Sequence, residues 1–208
     1  MNFMTTLLNI QCSPRYETSL SRVLSARFIE QWLLSNPNGK VITRDLMKTE
    51  LPFIDAHWLS GAYIPEEKHT SEIADALKIS DALVLEFKTA DEILIGTPMH
   101  NFNVPANFKA YIDQIVRFNQ TYNLNGGMLE DKRTTIILAS GRLYTIDAPE
   151  HYSNHVNGFL TSVLNYMGIK SIQFVLAGGM RAVNLGQETL ENHAKKFETS
   201  ILEAIKNY

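Results

Sequence analysis

Cysteine is almost absent from this chain: Cys12 is the only one in 208 residues. A single thiol excludes an internal disulfide framework and fits a reducing compartment. An excess of charge is also missing. The formal net charge is −3 and the pI about 6.1. The pairs Lys132-Arg133 and Lys195-Lys196 stand alone and read as solvated surface charge. Nothing therefore marks a nucleic-acid or anionic-membrane surface. Long apolar runs are lacking too. Leu7 to Ile10 is too short for a signal or a spanning helix, and no basic stretch precedes it, so a cytoplasmic location is expected. Two nucleotide signatures are missing: GxxxxGKS/T, which argues against a P-loop NTPase, and GxGxxG, the fingerprint of a Rossmann dinucleotide site.

What is present is ordinary globular composition, 45% apolar and 20% charged. A chain of this length buries roughly 70% of its unfolded surface and needs no metal or disulfide to stand. Short β-rich runs occur at 5–11, 41–46, 92–97, 134–140 and 171–177. Between them the apolar residues fall at helical spacing. Leu20, Leu24, Phe28 and Trp32 mark one helix, Ile73, Leu77 and Phe87 a second, Phe108, Ile112 and Ile115 a third. Leu160, Val163, Leu164 and Met167 mark a fourth, and Leu190, Ala194, Phe197, Ile201 and Ile205 a fifth. Asn36-Pro37-Asn38-Gly39 stops the first helix, Pro105 can start the third, and Gly168 can end the fourth. This alternation predicts one α/β domain over residues 1–208, a doubly wound five-stranded parallel sheet with helices on both faces. The segment 48–69 is the least regular.

In a flavodoxin-like strand order, 2-1-3-4-5, a ligand binds beyond the carboxyl ends of the strands, between the loops that follow strands one and three. Those loops are the most unusual in the chain. The first, residues 12–21, places the hydroxyls of Ser13, Ser19 and Ser21 around a helix start, where free N–H groups and the helix dipole favour a phosphate. One such serine would be an ordinary N-cap; three around one turn favour an anion site. The second, residues 97–105, sets Pro98, Met99, His100, Asn101 and Phe102 at the sheet edge, a mixture of apolar faces and amides suited to a planar heterocycle.

Other constellations carry less. Cys12 at a strand end invites a tyrosine-phosphatase reading, but that chemistry needs an Arg six positions on, and position 18 is Thr. Cys12 reads instead as a small buried filler. His151 and His155 lack a third metal ligand at suitable spacing. Glu66-Glu67 and Asp91-Glu92 read as solvated turn charges.

Together these loops resemble those of the FMN-dependent NAD(P)H azoreductase and quinone reductase family. Ser13-Pro14-Arg15 with Ser19-Leu20-Ser21 is similar to its phosphate loop, and TPMHNFNVPANFKAYIDQIVRFNQTY (97–122) to its most specific segment, TPMYNFxxPxxLKxxxDxxxRxGxTF. The likeness spans nearly the whole chain. It implies FMN phosphate on Ser13, Ser19, Leu20 and Ser21, and the flavin ring against Pro98, Met99, His100, Asn101 and Phe102. The family's third loop, TSRGG, corresponds to Ala139-Ser140-Gly141-Arg142-Leu143, followed by Tyr144. Two departures stand out: Arg142-Leu143 replaces Gly-Gly, and His100 replaces Tyr.

The resemblance further implies hydride transfer from NADH or NADPH, through FMN, to quinones or azo compounds by a ping-pong mechanism. No catalytic side chain of this protein is required, because the cofactor carries the chemistry. A homodimer with shared sites is implied, with Tyr63 and Tyr144 on the substrate side and Tyr63 reaching the neighbouring subunit. Leu51, Phe53, Ile54, Trp58, Leu59 and Ile64 beside Tyr63 offer an apolar partner surface. Positive charge from Arg142 at the cofactor's edge is a further expectation. Two rival classes remain: a non-enzymatic FMN electron carrier, which −3 is too mild to suggest, and a binding protein that has lost the flavin through Arg142-Leu143.

Overall fold

The computed structural model describes residues 4–206, so the first three and last two residues of the expected domain lie outside it. Five parallel strands form the central sheet: β1 (Thr6–Gln11), β2 (Lys40–Asp45), β3 (Glu92–Pro98), β6 (Arg133–Ala139) and β7 (Ser171–Ala177). Their order is β2-β1-β3-β6-β7, the expected 2-1-3-4-5 when only these five are counted. A two-residue hairpin pair, β4 (Tyr122–Asn123) with β5 (Gly126–Gly127), was not foreseen; it is too short and glycine-rich to show an alternating pattern.

The sheet is two-sided because side chains alternate along each strand. Leu8, Ile10, Ile93, Ile95, Ile136 and Leu138 face one core, packed by α3 (Ser71–Thr89), α4 (Ala106–Ile115) and α5 (His155–Tyr166). Leu7, Leu94, Ile137 and Val175 face the other, covered by α1 (Leu20–Ser35) and by α7 (Leu190–Lys195) and α8 (Glu198–Lys206). Each fully buried Leu, Ile or Phe contributes about 1.5–3 kcal/mol. β3 is buried on both faces along nearly all its length, which explains its unbroken apolar run.

Local chemistry sets the helix ends. Ser19, Thr70 and Asn154 cap α1, α3 and α5 by accepting from early backbone N–H groups. Gly168, at φ 103°, ends α5 in a region that favours glycine. The last helix differs from expectation. It breaks between α7 and α8, where the N–H groups of Lys196 and Phe197 turn back to the carbonyls three residues before them. A short helix α6 (Met180–Asn184) follows β7, and α2 (Ala56–Gly61) lies within the irregular 48–69 segment.

Three surface readings are corrected. Lys132 is buried and donates to the carbonyl oxygens of Lys88 (2.7 Å) and Ala90 (2.6 Å); burial holds its ammonium below the ordinary lysine range. Glu92 is buried too, accepting from Trp32 Nε1 (2.9 Å) and paired with Arg133. Trp58, expected in an exposed apolar patch, turns inward and donates to Gln114 Oε1 at 2.8 Å. Phe53, Ile54, Leu59, Tyr63 and Ile64 do lie exposed.

Candidate functional site

At the carboxyl ends of β1, β3 and β6, three loops enclose a crevice of about 180 Å³. Ser13, Ser19 and Leu20 enter from the β1–α1 loop, Pro98, Met99 and His100 from the loop after β3, and Ser140 and Gly141 from the loop after β6. Larger cavities lie away from these strand ends: two, of about 450 and 820 Å³, flank α3, and one of about 380 Å³ lies between α1 and α8.

The β1–α1 loop is held from both sides. Ser13 and Ser19 are buried, and their hydroxyls face loop backbone: Ser13 Oγ lies 3.3 Å from the N–H of Arg15, and Ser19 Oγ accepts from the N–H of Arg22 at 3.4 Å. Ser21 is wholly buried behind the crevice, 3.2 Å from Ser19 Oγ. The N–H groups of Leu20 and Ser21 belong to the first turn of α1 and have no partner within the helix. Arg22 fastens this loop. Its Nε and Nη2 donate to the Ser13 carbonyl at 3.2 and 2.8 Å, and its Nη1 and Nη2 grip Asp45 at 3.0 and 2.9 Å. The Tyr16 ring covers the guanidinium at 4.5 Å. Burial tends to raise the Asp45 carboxyl, but hydrogen bonds from Arg22 and Met47 outweigh it and hold the group below its ordinary value.

The loop after β3 doubles back tightly. His100 and Asn103 exchange backbone hydrogen bonds of 2.9 and 3.0 Å, and between them Asn101 and Phe102 both take positive φ, 48° and 68°. Two successive left-handed residues make a type I′ turn. Asn adopts it readily; for Phe it costs about 1–2 kcal/mol. The N–H of Met99 donates to the Ala139 carbonyl at 2.8 Å, tying this loop to the third.

The third loop closes onto the turn after β7. The carbonyls of Ser140, Gly141 and Arg142 accept from the N–H groups of Met180, Arg181 and Gly179, at 3.1, 3.0 and 3.3 Å. Ser140 Oγ adds a bond to the Arg142 carbonyl at 2.8 Å.

Not every expected residue meets the crevice. Asn101 and Phe102 lie on its exposed flank. The Arg142 guanidinium pairs with Glu150, and neither it nor Leu143 lines the crevice. Tyr144 and Tyr63 lie outside it as well; Tyr63 packs 5.9 Å from Phe118. Residues not foreseen complete the lining: Arg15, whose Nη1 donates to Asn184 Oδ1 at 3.0 Å across the opening, and Met180 and Asn184 from α6. The Gly178-Gly179 pair ahead of α6 was the available signal.

No Asp or Glu lines the crevice, whereas Arg15 does, so its lining favours an anion. Buried hydroxyls, unpaired helix N–H groups and this cation fit a phosphate. The ledge of Pro98, Met99 and His100 fits a flat apolar face with a polar edge. Cys12, beneath the loop, is wholly buried and its thiol is raised by that burial, which removes it as a nucleophile. Among the described residues no His, Cys, Asp and Glu group could hold a metal, and no helix is long and apolar enough to cross a membrane.

A family model described as a flavodoxin-like fold matches residues 5–201. The chain is 40% identical over 202 residues to a protein of Burkholderia lata named FMN-dependent NADH:quinone oxidoreductase 8, covering 97% of this chain and 96% of that one. It is 36% identical to FMN-dependent NADH:quinone oxidoreductase 2 of a Jannaschia species, covering 97% and 99%. Among solved structures it is similar to an FMN-dependent NADH-azoreductase of Bacillus anthracis in complex with FMN, with TM-score 0.81 and 27% identity, covering 96% and 99%.

Proposed function

From the premise that the chain belongs to the flavodoxin-like fold family, we propose that it is an FMN-dependent NADH:quinone oxidoreductase, with NADPH as an alternative donor and quinones or azo compounds as acceptors. The observation that carries this reading is the crevice free of carboxylates, where the serine loop, the strained 99–103 turn and the Ser140-Gly141 wall converge.

FMN, when bound, supplies two-electron chemistry; this chain supplies binding and exclusion. The hydroxyls of Ser13 and Ser19 with the N–H groups of Leu20 and Ser21 would hold the phosphate, Arg15 adding charge at the mouth. Pro98, Met99 and His100, flanked by Asn101 and Phe102, would bear on the ring, with the backbone of Ser140 and Gly141 along its edge. Exposed apolar side chains of Phe102, Leu143, Ile146 and Tyr152 lie on the flanking segments and exclude water from a flat substrate laid there. Donor and acceptor share that one place in this reading and bind in turn, which is a ping-pong order.

About 180 Å³ is less than the 300–1,000 Å³ usual for a small-molecule site. A crevice this small supports completion by a second copy, in a homodimer whose partner face includes Phe53, Ile54, Leu59, Tyr63 and Ile64. One domain over the chain and a cytosolic location, consistent with the single buried thiol, belong to the same reading. Names of relatives that match over nearly the full length favour an enzyme over an electron carrier or a flavin-free binding protein. Steady-state rates measured while varying NADH at several fixed quinone concentrations test the order. Parallel double-reciprocal lines are expected, and converging lines would contradict a shared place.

A further inference from the structure

His193, on α7, lies outside the crevice and takes no part in the binding described above. It is buried, with its ring edge-on to Phe197 at 5.6 Å. Its Nδ1 is 2.9 Å from Glu188 Oε2, and its Nε2 is 2.9 Å from the carbonyl oxygen of Gly178. A carbonyl oxygen only accepts. Glu188 also accepts from Lys196 Nζ at 2.8 Å, and hydrogen bonds from Lys196 and then His193 hold its carboxyl below the ordinary range, so it too is an ionised acceptor. The ring is thus held at both nitrogens, by a side chain on one side and by the backbone of the turn on the other.

The carbonyl that His193 holds opens the turn at Gly178 and Gly179, a turn with no room for side chains. A Cβ on Gly178 would stand 2.6 Å from the Arg142 carbonyl oxygen, and one on Gly179 would stand 3.2 Å from His193 Cε1. Gly179 also takes φ 87°. The imidazole therefore backs directly onto the turn whose N–H groups at 179, 180 and 181 hold the carbonyls of Arg142, Ser140 and Gly141.

Resting on the reading of the crevice as the FMN site, we propose that His193, held between Glu188 and the Gly178 carbonyl, is the positioning residue that fixes the 178–181 turn and through it the Ser140-Gly141 wall of the cofactor site.

The test combines amide hydrogen exchange and FMN titration on the full chain. His193→Ala should speed exchange at Gly179, Met180 and Arg181 by at least about tenfold while Ile95 and Leu138 keep their rates. FMN affinity should fall by about tenfold or more in the same variant, with partial recovery in His193→Gln, which restores one donor. Should His193→Ala not fold, His193→Gln and Glu188→Gln carry the comparison. Unchanged exchange at 179–181 would overturn the inference. Wild type that binds FMN while the His193 variants bind it equally well would sink this inference and leave the assigned function standing. Wild type that fails to bind FMN would sink the assigned function, and the exchange data would still decide the role of His193 in the turn.

Discussion

Arg22 meets Asp45 through a pair of hydrogen bonds, 2.9 and 3.0 Å, and with the same guanidinium holds the carbonyl of Ser13. One side chain thus joins the end of β2, the β1–α1 loop and the first turn of α1. Arg22→Met should cost about 1.5–3 kcal/mol of stability, the range for hydrogen bonds to charged groups. It should also weaken FMN binding, as read by denaturant unfolding and fluorescence titration. The pH dependence follows from the lowered Asp45 pKa. A depressed carboxylate stabilises the fold fully above the unfolded value of about 3.9, and that contribution is lost as pH falls through the folded value. The stability gap between wild type and Asp45→Asn should therefore be constant near neutrality and shrink below about pH 4. A gap that persists undiminished in acid would remove the Arg22–Asp45 pair as its source.

Phe102, at φ 68°, stores strain in the turn beside the crevice. Phe102→Gly should raise stability by about 1 kcal/mol while lowering turnover, because in the proposed function the relieved residue also shields the substrate. Loss of stability with turnover preserved would show the ring anchors the turn and leaves the substrate alone.

Arg142 was expected to place positive charge at the cofactor's edge, yet its guanidinium pairs with Glu150 outside the crevice. Arg142→Gly should accordingly shift the two-electron midpoint potential by less than about 30 mV, equivalent to about 1.4 kcal/mol for such a couple. A larger fall in spectroelectrochemical titration would return Arg142 to the site.

How far the sequence carried is clearest from particular residues. Strand runs are legible because a strand buried on both faces must be largely apolar, as the Ile93-Leu94-Ile95 centre of β3 is, and the cap at Ser19 and the stop at Gly168 are written in residue type. Arg22 was not legible. An arginine in the first turn of a helix reads as solvated surface until the parallel pairing of β1 with β2 brings Asp45 beside it. Glu92 and Lys132 were misread for the same reason. Burial of a charge depends on partners distant in sequence, here Trp32 and Arg133 for the first and the 88–90 carbonyls for the second. The serine loop and the 98–102 segment stood out because their composition is odd for plain connections, and the structure brings Ser13, Ser19, Pro98, Met99 and His100 to one crevice but leaves Asn101 and Phe102 on its flank; Met180 and Asn184 were missed because short α6 has too few residues to show a period.

Tyr63 is 59% exposed and stacks on Phe118 away from its own crevice. If it serves the site of a second copy, a mixed dimer of a Ser19→Ala, Ser21→Ala chain with a Tyr63→Ala chain concentrates both defects at one site and leaves the other intact. Its activity should differ from the average of the two parent dimers. Activity equal to that average, or a fully active monomer by sedimentation at assay concentration, would rule out shared sites.

The most direct measurement is the visible spectrum of the purified protein through an anaerobic titration with NADH, followed by a quinone. A flavin band that bleaches in proportion to added NADH and returns with the quinone is the predicted result. Ser13→Ala with Ser19→Ala should retain at least about tenfold less flavin under the same conditions, since each lost hydroxyl donor is worth about 0.5–3 kcal/mol. A colourless protein that added FMN does not reconstitute, or a band that NADH leaves unchanged, would contradict the account.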